Sequence, residues 1–246
     1  MRVLKRRQLW VASALAASVA LLSGCSEQQS TDRKVGASRA SGAAKPAPEP
    51  LTAAQLEALT FKDGEVPQVY EGGMKVTTGT GEDVESEFPP VSDPDCEESI
   101  DIRYGHRASA FASQVFNWKN GIFASSSTLS SYSDGLAQVE FDRLKRALDS
   151  CDVYEGEGYA GYYQARIQVK SANGVGDESV TFLETIAPSD PDVDPRDRVE
   201  QFTVVRVGNV IATFQRFDLG RTTPFPSELI KKQTERLRKA QDRRRE

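Results

Sequence analysis

Apolar residues fall into three regimes along the chain. A run of roughly fifteen from Leu9 to Ser23 follows Arg2, Lys5, Arg6 and Arg7, with no acidic residue among the first 24. That is a basic n-region and an h-region, too short for a bilayer span of about 20 residues. Residues 1–24 therefore read as a signal peptide. From Ser26 to Pro50 large apolar residues all but vanish and Ser, Ala, Gly and Pro dominate. Such a segment cannot bury enough surface to offset its ordering entropy, so 25–50 reads as a flexible tether. From Leu51 to the end, periodic apolar runs return, over a length suited to one domain.

Within 51–246 the periods separate helices from strands. Thr52, followed by Gln55, has capping-box spacing ahead of a short helix to Leu59. Residues 60–95 read as loop-rich, with strand candidates at Pro67–Tyr70 and Met74–Thr78. "ASAFASQVF" and "IFASSSTLSSY" flank a turn containing Asn120-Gly121, a hairpin signal. From Asp134 to Ser150, Ala137, Phe141, Leu144, Leu148 and Cys151 form one helical stripe. Tyr163–Lys170 alternates Ala165, Ile167 and Val169 with Arg166, Gln168 and Lys170, and a strand Ser179–Ile186 follows. Gln201–Val207 and Val210–Phe217 flank Gly208-Asn209, a two-residue hairpin turn. A last helix runs from Pro226-Ser227 to about Arg243 with Leu229, Ile230 and Leu237 inward. Hairpin-linked strands with helices packed on them predict a single α+β domain around an antiparallel sheet.

Leu22-Ser23-Gly24-Cys25 resembles the lipobox of bacterial lipoproteins: an aliphatic residue, two small ones, then cysteine. The resemblance implies that Cys25 is diacylated and becomes the first residue of the mature chain. One acyl chain binds a membrane marginally and two anchor it stably; the plainer alternative is an ordinary signal peptide with a chance cysteine. A mature chain outside the cytoplasm leaves Cys96 and Cys151 as an even pair in a disulfide-permissive compartment. A redox pair usually has C-x-x-C spacing, which neither cysteine has, so a structural bridge is expected.

Charge removes one class of partner. The chain carries −5; without the four positive charges of the signal it carries −9, and without the +5 of residues 231–246 the body 25–230 carries −14. Nucleic-acid binding through counterion release needs a basic footprint that this body lacks. The basic C-terminus reads as a solvated helix end complementing the helix dipole, the alternative being contact with anionic lipid or wall polymer.

The order of elements, with Gly176-Asp177-Glu178-Ser179 and Val205-Arg206-Val207-Gly208-Asn209 as the best local matches, resembles the PknH-like extracellular sensor domain. That family occurs on mycobacterial receptor Ser/Thr kinases and on actinobacterial lipoproteins. The resemblance covers roughly residues 51–238 and implies a central antiparallel sheet, flanking helices and a cleft for an extracellular ligand. This chain departs from the kinase sensors in having neither a kinase nor a transmembrane helix, and one cysteine pair where they have two. A lipid-anchored domain cannot itself carry a signal across the bilayer.

Catalytic signatures are missing. His106 is the only histidine, which excludes a histidine-built zinc site, and no G-x-S-x-G elbow accompanies it. There is no Walker A motif or dinucleotide fingerprint. Asp177-Glu178 sits beside a turn. Asp190, Asp192, Asp194 and Asp197 have alternate spacing, but Pro195 and Gln201 stand where an EF-hand loop needs Gly and Glu. Tyr154, Tyr159, Tyr162 and Tyr163, interleaved with Gly156, Gly158 and Gly161, either line a ligand groove or cap the sheet edge.

The sequence thus predicts a monomeric lipoprotein on the outer side of the cell membrane, without cofactor or metal. It would bind a small molecule, a wall fragment or a protein through Tyr159, Tyr162, Tyr163 and Arg206. The alternative is a carboxylate-dependent cell-envelope hydrolase. If Cys25 is the anchor, Cys25→Ala releases the protein from membranes or leaves it unprocessed; unchanged fractionation and mature mass would contradict that.

Overall fold

Among the described residues, eight strands and four helices account for the periodic runs of 51–246. In chain order they are α1 (Ala53–Leu59), β1 (Val69–Gly79), α2 (Pro94–Tyr104), β2 (Ala110–Trp118), β3 (Ser125–Ser131), α3 (Leu136–Ser150), β4 (Val153–Gly158), β5 (Gly161–Lys170), β6 (Glu178–Pro188), β7 (Arg198–Val207), β8 (Val210–Leu219) and α4 (Ser227–Asp242). The computed structural model describes residues 49–84, 88–133, 135–159, 161–171, 174–188 and 196–244. Cys25, the signal segment and the tether up to residue 48 lie outside the described residues, as do Asp190, Asp192 and Asp194.

All eight strands share one antiparallel sheet in the order β1-β2-β3-β8-β7-β6-β5-β4. The chain meanders through β1, β2 and β3, leaves the middle of the sheet, and re-enters at the far edge as β4. It then meanders back until β8 closes against β3. The step from β3 to β4 crosses five strand spacings, about 24 Å at the usual separation of about 4.8 Å. The 15-residue α3 spans about 22 Å at 1.5 Å per residue. The length of the apolar stripe therefore fits the width of the sheet it must cross.

Helices cover opposite faces on opposite halves. On one face α1 and α4 pack over the β1–β3 half and β8, burying Leu56, Phe116, Leu129, Phe214 and Leu237. On the other face α2 and α3 pack over the β4–β7 half, burying Ile102, Phe141, Leu144, Phe182 and Phe202. The two covered areas overlap at β7 and β8, where Val204 and Ile211 face one helical layer and Val205 and Ala212 the other. A strand buried on both faces has no polar alternation to keep, which is why "FTVVRVGNVIATF" reads as a nearly continuous apolar run.

The α+β antiparallel reading agrees with the structure, and so do the Thr52–Gln55 capping box and the inward stripe of α3. Leu229, Ile230 and Leu237 of α4 are buried as expected. The Gly208-Asn209 turn joins Val207 to Val210 in register.

Three readings are corrected. The two strand candidates near residue 70 are one strand, broken by a register shift between Val69 and Met74. Val169 is exposed rather than inward. Residues 94–104, read partly as loop, form α2. Its buried side holds Cys96, Ser99, Ile102 and Arg103, so no apolar stripe announced it. Its caps are nevertheless plain. The Asp93 carboxylate accepts from the Asp95 and Cys96 amides, Pro94 occupies the first turn, and Gly105 closes the helix at φ 81°.

Cys96 and Cys151 are bridged. The bond ties the first turn of α2 to the residue that caps α3, so the two helices over the β4–β7 half are held to each other as well as to the sheet. Closing a 55-residue separation is worth about 4 kcal/mol on chain-entropy arithmetic. Reduction should therefore lower the melting temperature by roughly 8–16 °C for a domain of this size, and the oxidised protein should yield no titratable thiol from this pair. Two free thiols before reduction would remove the bridge.

Candidate functional site

Toward the end of the sheet where β6 finishes and β7 begins, residues of α2, β4, β5, β6 and β7 line a cleft of about 840 Å³. Ligand pockets usually span roughly 300–1,000 Å³. One wall comes from α2 (Ile100, Arg103, Tyr104), a second from Phe88, Pro89 and Val91, and a third from the tyrosines of the β4–β5 hairpin. Strand alternation supplies the floor: Glu184 of β6 lies directly across from Glu200 of β7. Both are about 3 % exposed.

Those two carboxyl groups are held differently. Arg103 reaches down from α2 and grips Glu184 with both terminal nitrogens, at 3.0 and 3.2 Å. The Tyr154 hydroxyl donates to the same carboxylate. Behind this pair, Phe182 and Phe202 stack with ring centroids 5.0 Å apart, and the guanidinium lies 4.3 Å over the Phe202 ring. Burial works against the charge on Arg103, but the Glu184 carboxylate outweighs it and holds the pKa above its ordinary value. One polar atom is left over. Arg103 Nε is buried without a hydrogen-bond partner, an omission that costs about 1–3 kcal/mol.

Glu200 accepts from Gln215 Nε2 and pairs with Arg198 Nε, whose guanidinium lies 4.1 Å over Phe217. Burial pushes the Glu200 carboxyl above its usual range; Arg198 opposes this and the Glu184 carboxylate adds to it. The floor therefore holds two guanidinium and two carboxyl groups. Another unit charge at about 4 Å from one of like sign meets a repulsion of about 4 kcal/mol at an effective dielectric of 20. The floor offers little to an ion of either sign.

The tyrosines singled out from the sequence do meet here. Tyr159, Tyr162 and Tyr163 line the cleft together with Tyr154. Tyr154 is buried, Tyr163 half-buried, and Tyr159 and Tyr162 exposed. Tyr159 meets Phe88 edge to face at 4.8 Å, bridging hairpin and loop across the mouth. Gly156 explains part of the interleaved glycine pattern: a Cβ there would lie 2.5 Å from the Tyr163 ring, which folds across the neighbouring strand. The same spacing serves both groove and edge packing, since the hairpin is the sheet edge.

Arg206 lies elsewhere. Its guanidinium donates to Glu178 at 3.0 and 3.1 Å, to Asp177 at 3.3 Å and to the Gly208 carbonyl at 3.1 Å. Lys145 of α3 joins at Glu178, 2.6 Å away. Asp177 also accepts from the Gly208 amide at 2.6 Å. A Cβ at Gly176 would lie 2.4 Å from Val205 and 2.6 Å from the Arg206 carbonyl. The two sequence motifs are thus one ion-paired clamp joining β6, the β7–β8 turn and α3. His106 lines the cleft rim with Nδ1 3.7 Å from Asp101. No group of three or more His, Cys, Asp or Glu among the described residues is placed to hold a metal.

Arg103, Glu184 and Glu200 were missed from the sequence. Arg103 rides on the unread α2. The carboxylates had a signal: in Val180-x-Phe182-x-Glu184-x-Ile186 and Glu200-x-Phe202-x-Val204, an acid occupies an inward position of a period-two strand.

No family model matches the chain, and no curated protein matches it. Among solved structures it is similar to the crystal structure of the extracellular domain of PknH from Mycobacterium tuberculosis, with a TM-score of 0.57. The identity is 16%, over 78% of this chain and 98% of that one. The likeness shows a shared fold, the one that the sequence resemblance implies.

The raised Glu200 carboxyl sets a pH dependence. The folded state keeps this proton to higher pH than the unfolded chain, where the group titrates near 4.5. Its contribution is therefore largest below that value and is lost as pH rises through the folded pKa. Glu200→Gln, which needs no proton, should raise the melting temperature more at pH 7 than at pH 4. An equal shift at both pH values would show that the fold does not raise the Glu200 carboxyl.

Proposed function

We propose that this protein is an extracytoplasmic binding protein, anchored by lipid at Cys25, whose cleft takes up an extracellular ligand without transforming it. One observation carries the reading: an open cleft of ligand size has its two buried carboxyl groups engaged by side chains of the protein itself. Both oxygens of Glu184 accept from Arg103, and those of Glu200 are taken by Gln215 and Arg198. Groups held in this way give shape and polarity, whereas an acid or base must be free to reach its substrate. The fold shared with an extracellular domain supports the location.

A hydrolase using Glu184 and Glu200 draws on one specific observation, the opposed buried carboxyl pair with one member raised. Glycosidases place such groups on either side of a bond with room for sugar or water between them. Here the two project side by side from neighbouring strands into guanidinium partners, so binding is the better account.

Native mass spectrometry of the mature protein purified from its own envelope tests this directly. The expected result is a retained small molecule that is lost in Ile100→Trp, a substitution that fills the cleft from the half-buried face of α2. A wild-type protein that carries nothing and takes up nothing from a small-molecule envelope extract would contradict it.

A further inference from the structure

We infer that the C-terminal end of α4 docks on the anionic phospholipid headgroups of the membrane that holds the protein, so that the cleft faces away from that membrane. The inference rests on the lipid anchor at Cys25 proposed above and adds an interaction surface to it. Three observations carry it.

The first is where the chain enters the domain. The Glu49 carbonyl accepts from Asn209 Nδ2 at 3.2 Å, and the Pro50 carbonyl from Arg244 at 3.2 Å. The Leu51 amide donates to Ser131 Oγ at 2.7 Å. Asn209 belongs to the β7–β8 turn, Ser131 ends β3 opposite Val210, and Arg244 follows α4. The tether therefore joins the end of the sheet at that turn. Arg198 and Glu200, which line the cleft, stand at the opposite end of β7. The ten residues of that strand hold the two ends about 30 Å apart. Glu49 follows Cys25 by 24 positions, and a coil of that length spans about 25–30 Å.

The second is charge. Residues 231–246 carry +5 on a body of −14, so an anionic surface attracts this end and repels the rest. Lys232 and Arg236 are spent on Glu65, and Arg244 on Glu49. Lys231, Arg238, Lys239 and Arg243 are exposed, and among the described residues they form no ion pair. Beside the same turn, Asp177 and Glu178 are already matched by Arg206 and Lys145. The third is rigidity. Leu229, Ile230 and Leu237 fix the apolar side of α4 in the core, so its basic side chains stay outward. A short tether gives an effective concentration of about millimolar, so an attraction too weak to hold a free protein still orients an anchored one.

The test couples the mature chain to vesicles through Cys25, the only cysteine outside the disulfide, using a maleimide lipid. Acetylation by a soluble reagent then reads which lysines meet the bilayer. Lys239 should react at least about threefold more slowly on vesicles of equal parts phosphatidylglycerol and phosphatidylcholine than on phosphatidylcholine alone. Lys119, just beyond the cleft end of β2, should react equally on both. Salt at about 0.5 M should remove the difference, and so should Arg238→Glu combined with Arg243→Glu, both exposed positions. Equal Lys239 rates on the two vesicles would overturn the docking and leave the Cys25 anchor standing, because the coupling supplies the anchor. Slowing of Lys119 instead would turn the cleft toward the membrane and overturn the orientation. Protection of Lys239 by soluble teichoic acid, without protection by phosphatidylglycerol, would assign the surface to wall polymer and overturn the partner. The anchor itself falls separately, if Cys25→Ala leaves fractionation and mature mass unchanged.

Discussion

The contact between Arg103 and Glu184 joins the parts that make this domain more than a covered sheet. It runs from α2 to β6 under a cleft that separates them, with both side chains nearly fully buried. Removing either member would leave an uncompensated charge inside the protein, a loss of about 3–5 kcal/mol in comparable buried pairs. The pair therefore holds α2 in register over the sheet from within, as the Cys96–Cys151 bridge does from the helix ends. Stacked Phe182 and Phe202 beneath the guanidinium keep water from the lower side. Together they leave a void where a closer packing of α2 on the strands would otherwise bury more apolar area.

Topology explains why the void lies where it does. The chain needs α3 to cross from the middle of the sheet to its far edge, and α3 with β7 and β8 forms a continuous core. α2 is shorter and has only Ile102 as a large apolar residue on its buried side. It docks at the disulfide end through Cys96 and leaves the cleft open at its other end, where Tyr104 lines it. The Asp177–Glu178–Arg206–Lys145 cluster fastens α3 and the β7–β8 turn to β6. Charge is thus used twice on one face of the sheet, once as a clamp and once as the floor of a cleft.

Much of the scaffold was legible because it follows simple periods. α3 and α4 showed apolar stripes, the β7–β8 hairpin a two-residue turn, and α1 a capping box. β4 and α2 were not, for opposite reasons. β4, "VYEGEG", carries two glycines, of which Gly156 makes room for Tyr163, and so lacks an apolar alternation. α2 buries cysteine, serine and arginine in place of leucine, so only its caps could have revealed it. The site inherited this blindness. Three tyrosines of the hairpin were found because aromatic residues among glycines stand out in a sequence. Their polar counterparts were hidden, since an inward glutamate on a strand gains meaning only when the arginine it pairs with is placed 81 positions away. Arg206 stood out for a motif whose work proves to be holding the fold.

A cleft supported by the buried Arg103–Glu184 pair is the claim on which the functional reading depends, and a double-mutant cycle tests it. Unfolding free energies are measured for the wild type, Arg103→Met, Glu184→Gln and the double variant. Each single change should cost about 3–5 kcal/mol, and the double variant should be no less stable than the worse single one, because the second removal relieves the charge or donor stranded by the first. Losses that simply add would show that the two side chains act independently, and that no coupled pair underlies the cleft.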